Sequence, residues 1–212
     1  MTKQKQKAIV LVSGGPDSAT LIGWALKQNY EPTLVNFQFG LMTDRSELTA
    51  ARAVAKHYGI GLDVIDMKQI VGMLGHERPT IHSEAHVMKF GSAILMSIAS
   101  CYAILKKCSY VLVALHNQDA EESPEYRQPF LDKINEALNM STESNDIKLL
   151  APFTKMEKEE VLKLGFELGV PLHKTWSCIV SDKIQCGGCG ACRARRNAME
   201  KAGIKDITKY KF

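Results

Sequence analysis

The run Ala8-Ile9-Val10-Leu11-Val12 stops abruptly at Ser13-Gly14-Gly15-Pro16-Asp17-Ser18, and a helical pattern begins inside that turn. A continuous stretch of small and β-branched residues is how a strand buried on both faces reads, so residues 8–12 are expected to lie inside a parallel sheet. A helix is expected over 17–28, with Leu21, Ile22, Ala25 and Leu26 on one face to cover that sheet. Strand, glycine turn and helix in that order open an α/β fold, and the turn falls where such sheets hold a ligand.

The alternation continues along the chain. Further strands are expected over 33–39, 62–67, 110–115 and 147–151, and helices over 46–58, 85–107, 125–139 and 157–168, with a loop over 71–83. The expected fold class is α/β, a parallel Rossmann-like sheet flanked by helices. Residues 1–174 make up this domain, and residues 175–212 form a small, cysteine-rich, basic module appended to it. With 45% hydrophobic and 24% charged residues, the 212-residue composition excludes disordered, collagenous and coiled-coil chains. No apolar run approaches the roughly 20 residues that cross a bilayer, and the polar start lacks a signal-peptide core, so a cytoplasmic protein is expected. The formal charge of +4 is uneven: residues 186–212 carry seven basic side chains against Glu200 and Asp206. A basic tail is compatible with nucleic acid or phosphate, and equally with a plain solvated tail.

The turn at residues 13–18 has the chemistry of an anion site. Gly14 and Gly15 let the backbone approach a ligand, the helix start aims free N–H groups and a positive dipole end at negative charge, and Ser13 and Ser18 add hydroxyl donors. Asp17 is placed to cap the helix or to reach a metal bound to phosphates. The run lacks the Gly-Lys-Ser/Thr ending of a P-loop and is not Gly-x-Gly-x-x-Gly. It reads Ser-Gly-Gly-x-Asp-Ser, the pyrophosphate loop of ATP-dependent adenylating enzymes. A loop that grips the β- and γ-phosphates as a leaving group suits attack on the α-phosphate, with Mg²⁺ neutralising the pyrophosphate.

Four of the six cysteines, Cys178, Cys186, Cys189 and Cys192, are spaced Cys-x7-Cys-x2-Cys-x2-Cys. Short Cys-x2-Cys hooks put two sulfurs on one metal, and four thiolates close a tetrahedral site with no position left for a catalytic water. A structural zinc is therefore expected, with an iron–sulfur cluster as the alternative. Arg193, Arg195, Arg196 and Lys183 lie near enough in sequence to offset the net negative charge of such a site. Cys101 and Cys108 are expected to be core residues. His82 and His86 are read as ordinary residues, since no third ligand is evident. His116, just past the fourth strand, is a candidate pocket residue or a structural histidine.

Together the two motifs resemble the 7-cyano-7-deazaguanine synthase family, QueC, a branch of the pyrophosphate-loop superfamily, and the similarity covers most of the chain. Asn36-Phe37-Gln38-Phe39-Gly40 resembles the family's second strand and turn, which assigns Phe37 and Gly40 to the nucleotide site. Asp119, Ser123, Pro124 and Arg127 resemble its Asp-x-Ser-Gly-Tyr-Pro-Asp-Cys-Arg segment. Pro152, Lys158 and Glu160 fit its Thr-Pro-Leu segment and the Lys-x-Glu that follows; Thr175, Gly187, Arg195 and the four cysteines fit its zinc segment.

The resemblance implies an adenine nucleotide alpha hydrolase-like fold and an AMP-forming C–N ligase. Such an enzyme activates 7-carboxy-7-deazaguanine with ATP and Mg²⁺, lets ammonia displace AMP to give an amide, and uses a second ATP to dehydrate the amide to the nitrile. It also implies one structural Zn²⁺ per chain, roles for Asp119 and Arg127 at the base or carboxylate, a homodimer, and small-molecule substrates rather than nucleic acid. Two segments depart from the family. Its Gly-Gln-Arg-His is here Gly40-Leu41-Met42-Thr43, and its Pro-Gly-Arg-Asn is replaced within Met88-Lys89-Phe90-Gly91-Ser92, where Lys89 supplies a cation without the arginine fork. A variant that stops at the amide, or passes the activated deazaguanine to another amine, fits the same residues. The rivals are a tRNA thiolase of the same superfamily and a non-catalytic protein that holds zinc and nucleotide.

Overall fold

The computed structural model describes residues 4–73, 91–142 and 147–212. Five parallel strands, β1 (Gln6–Leu11), β2 (Tyr30–Gln38), β3 (Leu62–Asp66), β4 (Tyr110–Leu112) and β5 (Lys148–Leu150), stand in the order β3-β2-β1-β4-β5. The order reverses at β1, so a crevice opens between the carboxyl ends of β1 and β4. Helices cover both faces: α1 (Pro16–Lys27), α2 (Asp44–Tyr58) and α7 (Lys158–Glu167) pack on one, and α3 (Lys68–Met73), α4 (Gly91–Leu105) and α6 (Gln128–Ser141) on the other.

Alternate residues of β1 feed the two cores. Ala8 and Val10 join Leu21, Ile22, Leu34, Val54 and Leu162 on one side; Ile9 and Leu11 join Val35, Met96, Ala99 and Val111 on the other. Burial of each Val, Leu, Ile or Met among them contributes roughly 1.5–3 kcal/mol, and both faces of the central strands are covered in this way. All five expected strands are present, shifted by up to three residues at their ends. Among the described residues no helix is long and apolar enough to cross a membrane.

The structure corrects the expected element pattern in several places. The helix expected over 125–139 is split into a 3₁₀ turn at Pro124–Tyr126 and α6, because Arg127 is extended (ψ 146°) ahead of Pro129 at the second helical position. The loop expected over 71–83 begins helically, as the end of α3, and its remainder from residue 74 lies outside the described residues. Two short helices were not anticipated: α5 (Asn117–Glu122), directly after β4, and α8 (Gly190–Lys201), which carries the last cysteine of the cluster and is capped by the one before it. Cys108 is buried as expected, whereas Cys101 is exposed on the outer side of α4. Lys89, His82 and His86 lie outside the described residues.

Candidate active site and four-cysteine centre

The turn after β1 is preformed. Gly14 takes the left-handed region (φ 95°), and a Cβ on it would lie 2.2 Å from the carbonyl oxygen of Glu47 in α2, so only glycine lets α2 come this close. Ser13 Oγ accepts from the Gly15 N–H at 3.2 Å and lies 3.1 Å from Ser18 Oγ, which donates to the Gly15 carbonyl at 3.0 Å. Pro16 occupies the first turn of α1, where its missing N–H costs nothing. The N–H groups of Asp17 and Ser18 have no carbonyl one turn earlier in the helix, which leaves them to an anion above the turn.

Three elements converge on Asp17. Lys158, first residue of α7, donates from Nζ to Asp17 Oδ2 at 2.8 Å, and the same Nζ lies 3.2 Å from His116 Nε2. An ammonium has only protons to give, so Nε2 accepts, while Nδ1 lies 3.4 Å from Asp119 Oδ2 without forming a hydrogen bond. Burial pushes the Asp119 carboxyl above the ordinary range; the His116 N–H and ring draw it down, and the Asp17 carboxylate raises it again. The other oxygen of Asp17, Oδ1, is buried without a hydrogen-bond partner. A buried carboxylate oxygen left unpartnered carries a desolvation cost that a cation would relieve, so the Asp17 side chain fits a phosphate-bound Mg²⁺.

The alignment of this cluster is built by packing. α7 lies against α1 so closely that a Cβ on Gly165 would meet Thr20 Oγ1 at 2.3 Å, and this contact brings Lys158 to Asp17. The starts of α5 and α7 are tied to each other. Asn117 Nδ2 donates to Glu157 Oε1 at 2.7 Å, Gln118 Nε2 to Glu157 Oε2, and the Lys158 N–H to Gln118 Oε1 at 3.1 Å. On the β2 side of the crevice, buried Asn36 donates to the Val12 carbonyl at 2.7 Å and accepts from Gln38 at 2.6 Å.

The four sulfurs of Cys178, Cys186, Cys189 and Cys192 lie within 4.8 Å of one another, with Cys178 and Cys192 fully buried. Backbone N–H groups are aimed at them: Cys186 Sγ accepts from Cys189 at 3.2 Å and from Gly188 at 3.4 Å, and Cys178 Sγ from Cys186 at 3.4 Å. Burial raises Cys186, but those N–H donors outweigh it and hold the thiol at about 7, whereas burial pushes Cys178 and Cys192 up. Four converging sulfurs with N–H support are a donor set fit for a metal ion. Arg195, fully buried, fastens this segment to the body. Its guanidinium donates to the Thr175 hydroxyl, the Leu172 carbonyl and the Thr208 hydroxyl at 2.7–2.8 Å, and its Nε lies 3.5 Å from Asp206. Although burial opposes it, donation from Thr208 and Tyr210 keeps the Asp206 carboxyl below the usual range.

The structure brings Ser13, Gly14, Gly15, Asp17 and Ser18 together with Asp119, and gathers all four cysteines. Phe37 is buried in β2 and stacked on Phe39 (ring centroids 6.4 Å apart), and Gly40 (φ 84°) turns the chain so that its N–H meets Asp44 Oδ2 at 2.6 Å. Arg127 is exposed, its Nε donating to the Ala120 carbonyl at 3.0 Å. The pairing of Lys158 with Asp17 was not read from the residues. Its signal was available: a lysine at the first position of a helix opposes the helix dipole and asks for a reason. The approach of Glu47 to Gly14 has no sequence signal at all.

A model of the QueC family, described as queuosine biosynthesis protein QueC, matches residues 7–203. The chain is similar to a 7-cyano-7-deazaguanine synthase from a Nitratiruptor species, 36% identical over 97% of this chain and 99% of that protein. A synthase of the same description from Methanospirillum hungatei is 30% identical over 97% of this chain and 100% of its own length. Among solved structures, the U34-tRNA thiolase NcsA of Methanococcus maripaludis with its [4Fe-4S] cluster superposes with a TM-score of 0.57 at 19% identity, over 98% of this chain and 85% of that one. The NH3-dependent NAD synthetase of Campylobacter jejuni does so with a TM-score of 0.53 at 18% identity, over 80% and 67%. These two share the fold.

Proposed function

The chain belongs to the QueC family, and from that premise we propose that it is an ATP-dependent ligase that converts 7-carboxy-7-deazaguanine and ammonia into 7-cyano-7-deazaguanine. The observation that carries this reading is the Ser13–Ser18 turn at the point where the strand order reverses, with the Lys158 ammonium held over it by Asp17 and His116. The N–H groups and hydroxyls of the turn hold the β- and γ-phosphates, and Lys158 supplies positive charge where the pyrophosphate leaves. Asp17 would hold Mg²⁺, which supplies further neutralisation of that leaving group.

A carboxylate oxygen of the substrate attacks the α-phosphorus, and pyrophosphate departs to leave an acyl-adenylate. Ammonia then attacks the acyl carbon, AMP leaves with the carboxylate oxygen, and a proton is lost to give the amide. A second ATP takes the amide oxygen in the same way, and loss of AMP, with that oxygen, and of both amide protons leaves the nitrile. Both rounds use one phosphate site, because each replaces a poor oxygen leaving group with a phosphate ester. Asp119, beside His116, and Arg127 are the groups proposed for the deazaguanine, and residues 175–212 form the second unit, holding one structural zinc through four thiolates.

Mass spectrometry of a reaction with 7-carboxy-7-deazaguanine, ammonium and ATP tests this. Two AMP per nitrile are expected; amide alone would identify a variant that ends after the first round, and no AMP at all would overturn the ligase reading. Asp17→Ala is expected to lower AMP formation by at least about 100-fold while the chain still folds, since it removes the carboxylate that would hold Mg²⁺ at the phosphates; loss of the ion pair with Lys158 lowers thermal stability without unfolding the two apolar cores.

A further inference from the structure

We propose that the four-cysteine segment sets the conformation of the phosphate turn, with Trp176 as the positioning residue, so that metal and ATP strengthen each other's binding. The inference rests on the reading above that residues 13–18 hold the phosphates and the cysteines hold a metal.

Gly14 is wedged between two backbones. On one side lies the Glu47 carbonyl of α2; on the other, the Gly14 carbonyl accepts from the Trp176 N–H at 2.9 Å. Both walls are fastened to the stretch between the first two cysteines. The indole N–H of Trp176 donates to the carbonyl of Cys178 at 2.8 Å, so the first ligand fixes the ring and the backbone that carries it. Ser46, the neighbour of Glu47, donates from Oγ to the Asp182 carbonyl, in the middle of the seven residues separating Cys178 from Cys186. Gln185, next to Cys186 and buried, braces the same stretch by accepting from the Ser177 N–H at 2.9 Å and donating to the Thr175 carbonyl at 3.1 Å.

Residues 178–186 contribute only Cys178 to the buried apolar residues, so beside the Gln185 brace a cross-link through the sulfurs would be the main hold on their shape. Losing that cross-link frees both walls of the turn together. Gly14 is free to take either sign of φ, so its walls select the left-handed conformation, and a loosened turn must be reordered each time phosphate binds. Because coupling is reciprocal, ATP must then tighten the metal by the factor by which the metal tightens ATP.

Titration calorimetry with the α,β-methylene analogue of ATP, which cannot be cleaved between the α and β phosphorus atoms, measures the factor. Metal-loaded protein is expected to bind the analogue, and failure there would sink the phosphate-site reading itself, a result distinct from failure of the coupling. Metal-stripped protein is expected to bind it about 10-fold more weakly, within the usual range of such couplings; equal affinity overturns the proposal. If stripped protein unfolds, the equilibrium share of zinc between loaded protein and a competing chelator, with and without the analogue, reads the same factor, and an unmoved share overturns it. Trp176→Phe, which deletes the bond to the Cys178 carbonyl, should keep one metal per chain yet bring the coupling factor down severalfold. An unchanged factor would remove Trp176 from the positioning role.

Discussion

Leu162 in α7 and Arg195 in α8 are both fully buried, and what surrounds them differs completely. Leu162 sits in an apolar cluster with Leu21, Ile22 and Val161, one contributor among many. Arg195 is held by carbonyls and hydroxyls of Leu172, Thr175 and Thr208, beside Asp206, and its segment has four sulfurs where the body has two apolar layers. Apolar burial is spread over many residues and yields gradually when one is trimmed. The polar fastening depends on a few groups, each of which leaves unpartnered atoms behind when removed.

The largest expected effect comes from the metal proposed at the four cysteines. Cys189→Ser, or a strong chelator, should lower metal content and thermal stability together, since a structural zinc site contributes on the order of 10 kcal/mol of binding free energy at neutral pH. Unchanged metal stoichiometry in Cys189→Ser would break the contrast by showing that the sulfurs do not hold a metal. Next, Arg195→Met should cost roughly 3–5 kcal/mol by urea unfolding, because it removes a fully buried cation together with its hydrogen bonds to Thr175, Thr208 and the Leu172 carbonyl and its charge beside Asp206. Leu162→Ala falls in a similar range of about 2–5 kcal/mol by loss of packing. The two separate by readout: Arg195→Met should speed metal release to a chelator, and Leu162→Ala should not.

Gly14→Ala is expected to weaken nucleotide binding by at least about 10-fold and to cost about 1–3 kcal/mol, since a methyl would overlap the Glu47 carbonyl and a left-handed residue carries its own strain. Retained affinity would show that α2 can retreat from the turn. The smallest effect is assigned to Glu47→Gln. Burial raises the Glu47 carboxyl, against the hydrogen bond from Thr43, so its ionisation opposes folding. Stability is then complete at acid pH and falls as pH rises from the unfolded to the folded pKa. The amide should therefore be more stable than wild type at neutral pH, by less than about 1 kcal/mol, with the difference vanishing in acid.

The strands were legible because a doubly covered parallel sheet needs apolar runs; β1 and β4 supply unbroken ones, and β2 a run interrupted by Asn36 and Gln38. The glycine turn and the converging cysteines were legible because glycine conformations and Cys-x2-Cys spacings are local. α5 was not: its Asn117-Gln118-Asp119 start is polar and short, and it is a helix because His116 and Asp119 cap it and Glu157 of a distant segment binds its side chains. Lys158 had a signal, at a helix start and in the Lys-x-Glu resemblance, but its partner Asp17 is chosen only when α7 is laid on α1.

The amino-acid order alone marked the strands, the glycine turn and the four-cysteine cluster, since each is a pattern within one short stretch of chain. Only the tertiary structure decided which cation faces Asp17, what presses on Gly14, and that the cysteine segment reaches the turn through Trp176 and Ser46. Those contacts join residues tens to more than a hundred positions apart, and their partners are chosen by how helices pack, which no local pattern encodes.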